Sequence, residues 1–561
     1  MRAKVGVYIC ECGPNIAEKV DIDGIIAGLS EFDGFGETEL VVKKYGFLCS
    51  KSGREFLEEE IRNLGLTHLV IGACSPRDHD STFKGVCGRT DLNPYLYRII
   101  NIREHCSWVI DDVEKATEKA ESYLRGGIAR VLRQSELFEN PIDVNPDVLV
   151  IGGGVAGMQA ALSLAAEDRR VSIVERSDRL GGRALELSGL SSGTFRGSDI
   201  AAGQVESVMG NPYIDVFLNT GVSSVIGFLG NFVIELLSDE DGATTEISSG
   251  AIIAATGCAV YDPSLSGSYN YSDRDDVYNP LEISRMLSSE GGVALRSGGR
   301  PENIALVHCA GRDELNYCSG ICCGVMMKTA LLLKESIPGV DITEFYRDIC
   351  VPPHEGRQLY ESVLEAGVDL VRVESAGLSG TTVSFREKSG VEDQRSFDMV
   401  VTAPALIPSP DTADIALLLG IPLDDTGFFQ EAHRMTDPSG TTTDGVFIAG
   451  TSQGPRGILD SMRFARASAG LILTRLIIGE KLVPEVAVSE ILEAYCTGCG
   501  NCLEVCVYGA IYSDGSKGVS VVNEAICRGC GNCFGSCPSG ALRTKHFTNT
   551  QLYREVDEAL R

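Results

Sequence analysis

Long uncharged runs are missing from this 561-residue chain. A membrane-spanning helix needs about 18 or more apolar residues in a row. The closest approach, "AGLILTRLIIGEKL", is interrupted by Arg475 and reads as the buried end of a helix. The opening "MRAKVGVYIC" lacks the basic region, apolar run and small-residue cleavage site of a signal peptide, and reads as a short strand. Positive charge is scarce as well: 49 Lys and Arg stand against 78 Asp and Glu, a net charge of −29. An acidic surface repels nucleic acid and anionic membranes, so neither is expected as the main partner. A cytoplasmic protein with no membrane span is expected.

What is present is an ordinary globular balance, 43% hydrophobic and 23% charged. The length suffices for about two to four domains. Twenty cysteines in a reducing compartment point to metal ligands or buried thiols, not disulfides. None lies between Cys106 and Cys258, and eight lie from Cys496 onward. This spacing divides the chain into a cysteine-containing head, a long middle and a cysteine-dense tail. The expected boundaries are 1–140, 141–485 and 486–561.

The tail carries two C-x2-C-x2-C-x3-C runs: Cys496, Cys499, Cys502 and Cys506, then Cys527, Cys530, Cys533 and Cys537. This is the bacterial ferredoxin spacing for two 4Fe-4S clusters, in which the fourth cysteine of each run ligates the other cluster. Cys496, Cys499, Cys502 and Cys537 are expected at one cluster, and Cys527, Cys530, Cys533 and Cys506 at the other. Pro538 follows the second run, whereas Val507 stands in that place after the first. A zinc module is the competing reading, since C-x2-C pairs also bind zinc, but two matching four-cysteine runs favour iron–sulfur.

The middle opens with an apolar, β-branched strand at Val148 to Ile151, then Gly152, Gly154 and Gly157 in a G-x-G-x-x-G spacing that opens a helix. Such glycines permit a tight turn and the close approach of a pyrophosphate to a helix N-terminus. A second strand, "RRVSIVE", ends at Glu175, placed to hold a ribose hydroxyl. Gly181, Gly182 and Arg183 follow as a "GGR" that resembles FAD-binding proteins more than NAD dehydrogenases. "AIIAATG", ending at Gly257, and "TTTDGVFIAGTSQG", containing Gly450, resemble later segments of two-dinucleotide-domain flavoproteins. Those proteins usually have Asp after the glycine, where this chain has Thr451. Plain strand–turn–helix structure is the alternative, and the order of the segments favours FAD.

Where a second nucleotide site would begin, "IALVHCAGR" has the strand but no glycine fingerprint. Cys309, Cys318, Cys322 and Cys323 stand there instead. Four thiolates are one full set for a 4Fe-4S cluster. Adjacent cysteines chelate one small zinc ion poorly but can reach two irons of a cube. Buried free thiols remain the other reading.

This C-x8-C-x3-CC segment, "HCAGRDELNYCSGICCGVMMKTA", resembles the HdrA component of soluble heterodisulfide reductase and the related flavoproteins of the quinone-interacting Qmo complex. "VGVYICECGPNIAEKVD", "LVIGACSPRDHDSTF" and "LNPYLYRIINIREHCSW" resemble that family's N-terminal domain, so the likeness spans nearly the whole chain. The resemblance implies an α/β N-terminal domain and a thioredoxin-reductase-like FAD fold. An α+β ferredoxin domain of the bacterial 2[4Fe-4S] type would follow. It implies a third cluster at Cys309, Cys318, Cys322 and Cys323, and places Lys328 beside the flavin ring as a catalytic residue. It also implies HdrB/HdrC-like partner subunits, a further subunit for electron input, and a homodimer within the larger complex.

Many HdrA proteins carry an extra ferredoxin module within the flavin domain. No cysteine lies between Arg183 and Thr256, so that insert is absent and ferredoxin-linked bifurcation is in doubt. The expected activity is oxidoreduction, with CoM-S-S-CoB or another disulfide as acceptor through partner subunits. The alternatives are a Qmo-like electron-transfer flavoprotein, a stand-alone NAD(P)H-dependent flavin oxidoreductase, and a non-enzymatic electron-transfer scaffold. Cys10, Cys12, Cys49, Cys74, Cys87 and Cys106 in the head read as structural thiols or partner contacts, with a further cluster as the alternative. Cys258 and Cys350 read as incidental.

Overall fold

The computed structural model describes residues 3–187, 196–272, 275–289, 292–351 and 353–561. The chain forms two compact units, one of residues 1–141 with 483–561 and one of residues 142–482.

The first unit starts from a four-stranded parallel sheet in the order Glu39–Tyr45, Lys4–Cys10, His68–Ala73, Tyr97–Asn101. Strands such as His68–Ala73 are continuous runs of buried residues, as expected for a parallel sheet covered on both faces. The strand order reverses between Lys4–Cys10 and His68–Ala73. In open α/β sheets the carboxyl ends at such a reversal are where ligand sites form.

The helix Val113–Val131 packs on this sheet, and the C-terminal helix Asn549–Ala559 lies across it. Gly126 makes that crossing close, because a Cβ there would stand 2.8 Å from the Glu555 carbonyl oxygen. The buried Arg130 guanidinium pairs with the Glu555 carboxylate, donates to the His546 carbonyl at 3.1 Å and lies 4.5 Å from the Phe547 ring centre. Arg98 reaches the same carboxylate at 3.6 Å. Glu555→Ala will leave two guanidinium groups without their shared counter-ion. We expect a loss of about 2 kcal/mol. This is less than for a fully buried pair, because Glu555 is partly exposed. The midpoint of protease cleavage of the C-terminal helix against urea measures it.

The tail itself is two near-repeats, "VSEILEAYCTGCGNC" and "VSVVNEAICRGCGNC". Each gives a short helix, Asn501–Glu504 and Asn532–Ser536, and the two pack on each other. Antiparallel pairs Ser489–Ile491 with Leu542–Thr544, and Ile511–Asp514 with Val519–Val522, flank them.

The second unit is built on a five-stranded parallel sheet. Its order is Val446–Ile448, Ala251–Ala254, Val148–Ile151, Val171–Val174, Ile214–Phe217. Helices Val155–Ala165 and Ile458–Arg475 pack together over it. The latter ends at Arg475, and Ile477 and Ile478 beyond it are exposed, so the run is not the wholly buried helix end expected. A second parallel set runs Val277–Tyr278, Met399–Pro404, Asn303–Ala310, Asp341–Tyr346, Asp369–Ser379, and continues into antiparallel strands. Two successive parallel sheets of this kind are the expected two-dinucleotide-domain arrangement. Among the described residues, no helix is long and apolar enough to cross a membrane.

Candidate functional site

The glycines read from the sequence converge at the N-terminus of helix Val155–Ala165. Gly154 caps that helix without a side-chain bond, and a Cβ on it would meet nothing within 4 Å. Gly152 has φ +109°, and a Cβ there would stand 2.4 Å from the Ala255 carbonyl oxygen. At Gly157 a Cβ would fall 1.9 Å from the Gly152 carbonyl oxygen. The Gly153 N–H donates to Glu175 Oε2 at 2.7 Å, and Ser177 N–H and O–H donate to Oε1 at 2.9 and 2.7 Å. A carboxylate has about four acceptor sites, so capacity is left for a ribose hydroxyl.

Gly181 N–H donates to the Gly153 carbonyl at 2.8 Å, and Gly182 lies against Gly154. Gly450 touches Ala156, and Gly257 faces Thr451. Within the A-T-G turn, the Thr256 hydroxyl is buried with no partner, a donor awaiting an acceptor. A helix N-terminus without a side-chain cap, a side-chain-free cradle and an orphaned hydroxyl fit a dinucleotide. Gly157→Ala will place a methyl against the Gly152 carbonyl and displace the loop. FAD content will fall at least about tenfold, equivalent to about 1.4 kcal/mol of binding, read as flavin absorbance per protein.

Directly after this turn, Cys258–Val260 pairs antiparallel with Leu406–Pro408. Leu406 in turn holds the four-cysteine segment: Tyr317 O–H donates to its carbonyl at 2.6 Å, and its N–H donates to Ser319 Oγ at 2.9 Å. Cys258, read as incidental in the sequence, therefore sits on the short path between the flavin turn and Cys318. Burial raises its thiol, against the Thr451 hydroxyl and the Arg183 charge.

Cys309, Cys318, Cys322 and Cys323 line one recess of about 370 Å³ together with His308, Arg312 and Asp348. The backbone makes this possible in two ways. Strand Asn303–Ala310 breaks register with Met399–Pro404 between Val307 and Ala310, and Cys309 is left-handed at φ +65°. A bulge of this sort re-aims side chains beside a site. Helix Cys322–Ser336 then opens on the adjacent pair, with no side-chain cap at Ile321. Its N-terminal N–H groups favour anionic sulfur.

Burial and the neighbouring cysteines push the Cys322 thiol up to about 12. Cys309 is raised by burial, against the Arg312 guanidinium. Thiols crowded in this way cannot ionise together unless positive charge sits among them, as a bound metal cluster would provide. Burial acts to raise Cys323 too, but His308 and the Cys350 backbone N–H bring it below the ordinary thiol value. His308 is drawn down by burial, yet its interactions with Cys323 and Glu344 outweigh this and carry it to about 9. Exposed Cys350, also read as incidental, stands close enough to Cys318 and Cys323 for their charges to act on it. Lys328 is half-buried on the helix that opens at Cys322.

In the tail, Cys506 of the first run lines a recess of about 300 Å³ with Cys527, Cys530 and Cys533 of the second. The crossing is repeated in the serines that precede each run. Cys502 Sγ lies 3.4 Å from Ser520 Oγ, and Cys533 Sγ lies 3.4 Å from Ser489 Oγ. Two glycines obey the same symmetry. A Cβ on Gly498 would stand 2.4 Å from the Gly518 carbonyl oxygen, and one on Gly529 would stand 2.5 Å from that of Ala487. The Cys496 sulfur accepts the Ser520 N–H at 3.5 Å. Burial raises Cys537, but the Ser539 hydroxyl and the N–H groups of Leu542, Ala541 and Ser539 hold it below the usual value. Cys499 is exposed.

Among the described residues, no three His, Cys, Asp or Glu donors converge on one point as a single bound ion demands. The thiols stand around recesses instead, which suits a larger cluster.

In the head, Cys10, Cys12, Cys49 and Cys74 gather at the carboxyl edge of the sheet, at its reversal point. Burial raises Cys10, with Cys12 and Cys49 acting on it electrostatically, and Cys49 acts likewise on Cys74. Arg103 reaches Cys12 and Cys74. Cys87 and Cys106 are buried in the two cores on either face of the sheet. Sequence spacing gave no sign of this meeting of four.

Two protein families match parts of the chain: a pyridine nucleotide-disulphide oxidoreductase family over residues 146–307, and a 4Fe-4S dicluster domain over 495–541. The chain is 34% identical, over a gapped alignment of 657 positions, to an A-type iron–sulfur subunit of CoB--CoM heterodisulfide reductase from Methanopyrus kandleri, covering 100% of this chain and 99% of that one. It is 30% identical to the A-type subunit of H(2):CoB-CoM heterodisulfide,ferredoxin reductase from Methanothermobacter marburgensis, covering 92% of each. It is also 30% identical to the A-type subunit of ferredoxin:CoB-CoM heterodisulfide reductase from Methanosarcina mazei, covering 91% of this chain and 75% of that one. With the glycine cradle, the crossed tail cysteines and these relatives together, the chain belongs to the HdrA family of heterodisulfide reductases, an FAD- and iron–sulfur-dependent oxidoreductase family.

Proposed function

We propose that this chain is the flavin- and cluster-bearing component of a multisubunit oxidoreductase that reduces a disulfide of the CoM-S-S-CoB kind. Bound FAD would supply the interchange between two-electron and one-electron transfer, and 4Fe-4S clusters would carry single electrons. The observation that carries the reading is the four-cysteine recess. It stands where the second sheet would otherwise carry a nucleotide loop, and it is tied through Leu406 to the strand leaving the flavin turn.

The residues divide the work. Gly152, Gly154, Gly157, Gly181, Gly182, Gly257 and Gly450 leave room for the cofactor backbone. Glu175 holds its ribose, and Arg183 lies by its phosphate side. Cys309, Cys318, Cys322 and Cys323 hold one cluster. Cys496, Cys499, Cys502 and Cys537 hold a second, and Cys527, Cys530, Cys533 and Cys506 a third. Lys328 places a positive charge toward the flavin ring, where it would favour a reduced, anionic ring. The division 1–140, 141–485 and 486–561 separates a partner-facing head, the flavin part and the electron wire. The disulfide chemistry belongs to HdrB/HdrC-like partners in the cytoplasm, with a second copy of this chain in the complex.

The missing insert between Arg183 and Thr256 favours a second reading, a Qmo-like electron-transfer flavoprotein that does not bifurcate. An anaerobic assay separates the possibilities. The chain, mixed with its partner subunits and a reduced viologen, should consume CoM-S-S-CoB at a rate that depends on this chain. NAD(P)H oxidation by the chain on its own would overturn the proposal in favour of a stand-alone flavin oxidoreductase.

A further inference from the structure

Arg312 lines the four-cysteine recess, and its guanidinium has no task in the electron path described so far. Its Nη1 lies 3.9 Å from Cys309 Sγ and 3.4 Å from Asp348 Oδ2, and donates toward both. Arg372 holds the other oxygen of Asp348 at 3.2 Å. The order leading away from the sulfur is therefore guanidinium, carboxylate, guanidinium.

The local backbone places Arg312 there. Cys309 has φ +65° and Gly311 has φ +90°, so the chain is left-handed twice as it leaves strand Asn303–Ala310. A Cβ on Gly311 would stand 2.6 Å from the Tyr261 ring, so this turn takes only glycine. Arg312 follows at once, and its side chain returns to the residue three before it. Asp348 comes from the chain just after the neighbouring strand, Asp341–Tyr346, and anchors the same nitrogen.

A guanidinium stays charged at any working pH and has no acceptor, so its N–H groups can only donate. Nη1 carries two hydrogens, enough for the sulfur and the carboxylate together. Four thiolates leave a cubane with net negative charge, and reduction adds one more. Net charge and hydrogen bonds to the sulfurs set the potential of such a cluster. A fixed cation that donates to a ligand sulfur favours the reduced form. Asp348 cancels part of that charge, but Arg372 shares the carboxylate. The Arg312 side chain is 33% exposed, so solvent weakens its field and the effect is moderate.

We infer that Arg312, anchored by Asp348, donates an N–H to the Cys309 thiolate of the cluster in this recess and thereby raises that cluster's reduction potential. The inference rests on the reading of the four cysteines as cluster ligands. Arg312 is a positioning residue in this scheme: it acts through Cys309 and does not ligate iron. Its effect is confined to one of the three clusters.

The test uses anaerobically purified full-length protein and its Arg312→Leu, Arg312→Lys and Arg372→Leu variants. Iron, FAD and cluster potentials are measured, the last by EPR at poised potentials. The signal belonging to this recess is the one that a Cys322→Ala/Cys323→Ala variant lacks. All three variants should keep about twelve irons and one FAD. In Arg312→Leu the reduced-to-oxidised ratio of that signal at a fixed potential should fall about tenfold, about 59 mV for one electron. Arg312→Lys keeps the charge but not the planar fork, and its ratio should fall about threefold. Arg372→Leu should move the signal less than either, and the tail signals should stay in place. An unmoved potential in either Arg312 variant with the cluster retained overturns the inference. An equal shift in Arg372→Leu also overturns it, because the effect would then be a general field and not a contact with Cys309. So does loss of about four irons in both Arg312 variants, which would make the arginine a structural prop. Wild-type protein with about eight irons would overturn the cluster reading itself, and this inference with it.

Discussion

Replacing Cys322 and Cys323 together by alanine will remove about four of about twelve irons per chain and leave FAD in place. The two residues open helix Cys322–Ser336 and supply half the sulfur around the recess. Two remaining thiolates cannot hold a cubane. The glycine cradle at Gly152, Gly154 and Gly157 lies on a different sheet of the same unit, so its ligand has no reason to leave. Anaerobic iron, sulfide and flavin analysis of both proteins checks this. Equal iron in the two would mean that the recess holds only buried thiols.

Cysteine pairs in the tail will show the crossing of ligands. Cys506→Ala alone is expected to cost about four irons. Adding Cys530→Ala should cost no more, because Cys506 and Cys530 line the same recess. Adding Cys499→Ala should cost about eight in total. Groups that serve one centre are non-additive, whereas independent centres add. If each run ligated its own cluster, the two double variants would exchange results.

Much of this was legible in the residues because the signals are local. A glycine spacing followed by an apolar helix, or a four-cysteine run, fixes its own geometry over about a dozen residues. Even the crossed serines can be found in the sequence, since Ser489 and Ser520 stand seven positions before Cys496 and Cys527 in the repeat. The meeting of Cys10, Cys12, Cys49 and Cys74 was not legible, because a parallel sheet collects strand ends that are far apart in the chain. Nor was the pairing of His308 with Glu344, which depends on the register of two strands and on a bulge at Cys309 that no residue type announces. Cys258 and Cys350 read as incidental for the same reason: their neighbours come from strand pairings and loops elsewhere. The packing of the C-terminal helix on the head turns on Gly126, one glycine within an otherwise unexceptional helix.

The central claim is that one flavin and three clusters share this chain. Anaerobic reductive titration of the purified full-length protein tests it most directly. Two electrons for FAD and one for each cluster require about five equivalents per chain to reach full reduction. A titration that closes at about four, with FAD fully bound, would contradict the cluster at Cys309, Cys318, Cys322 and Cys323.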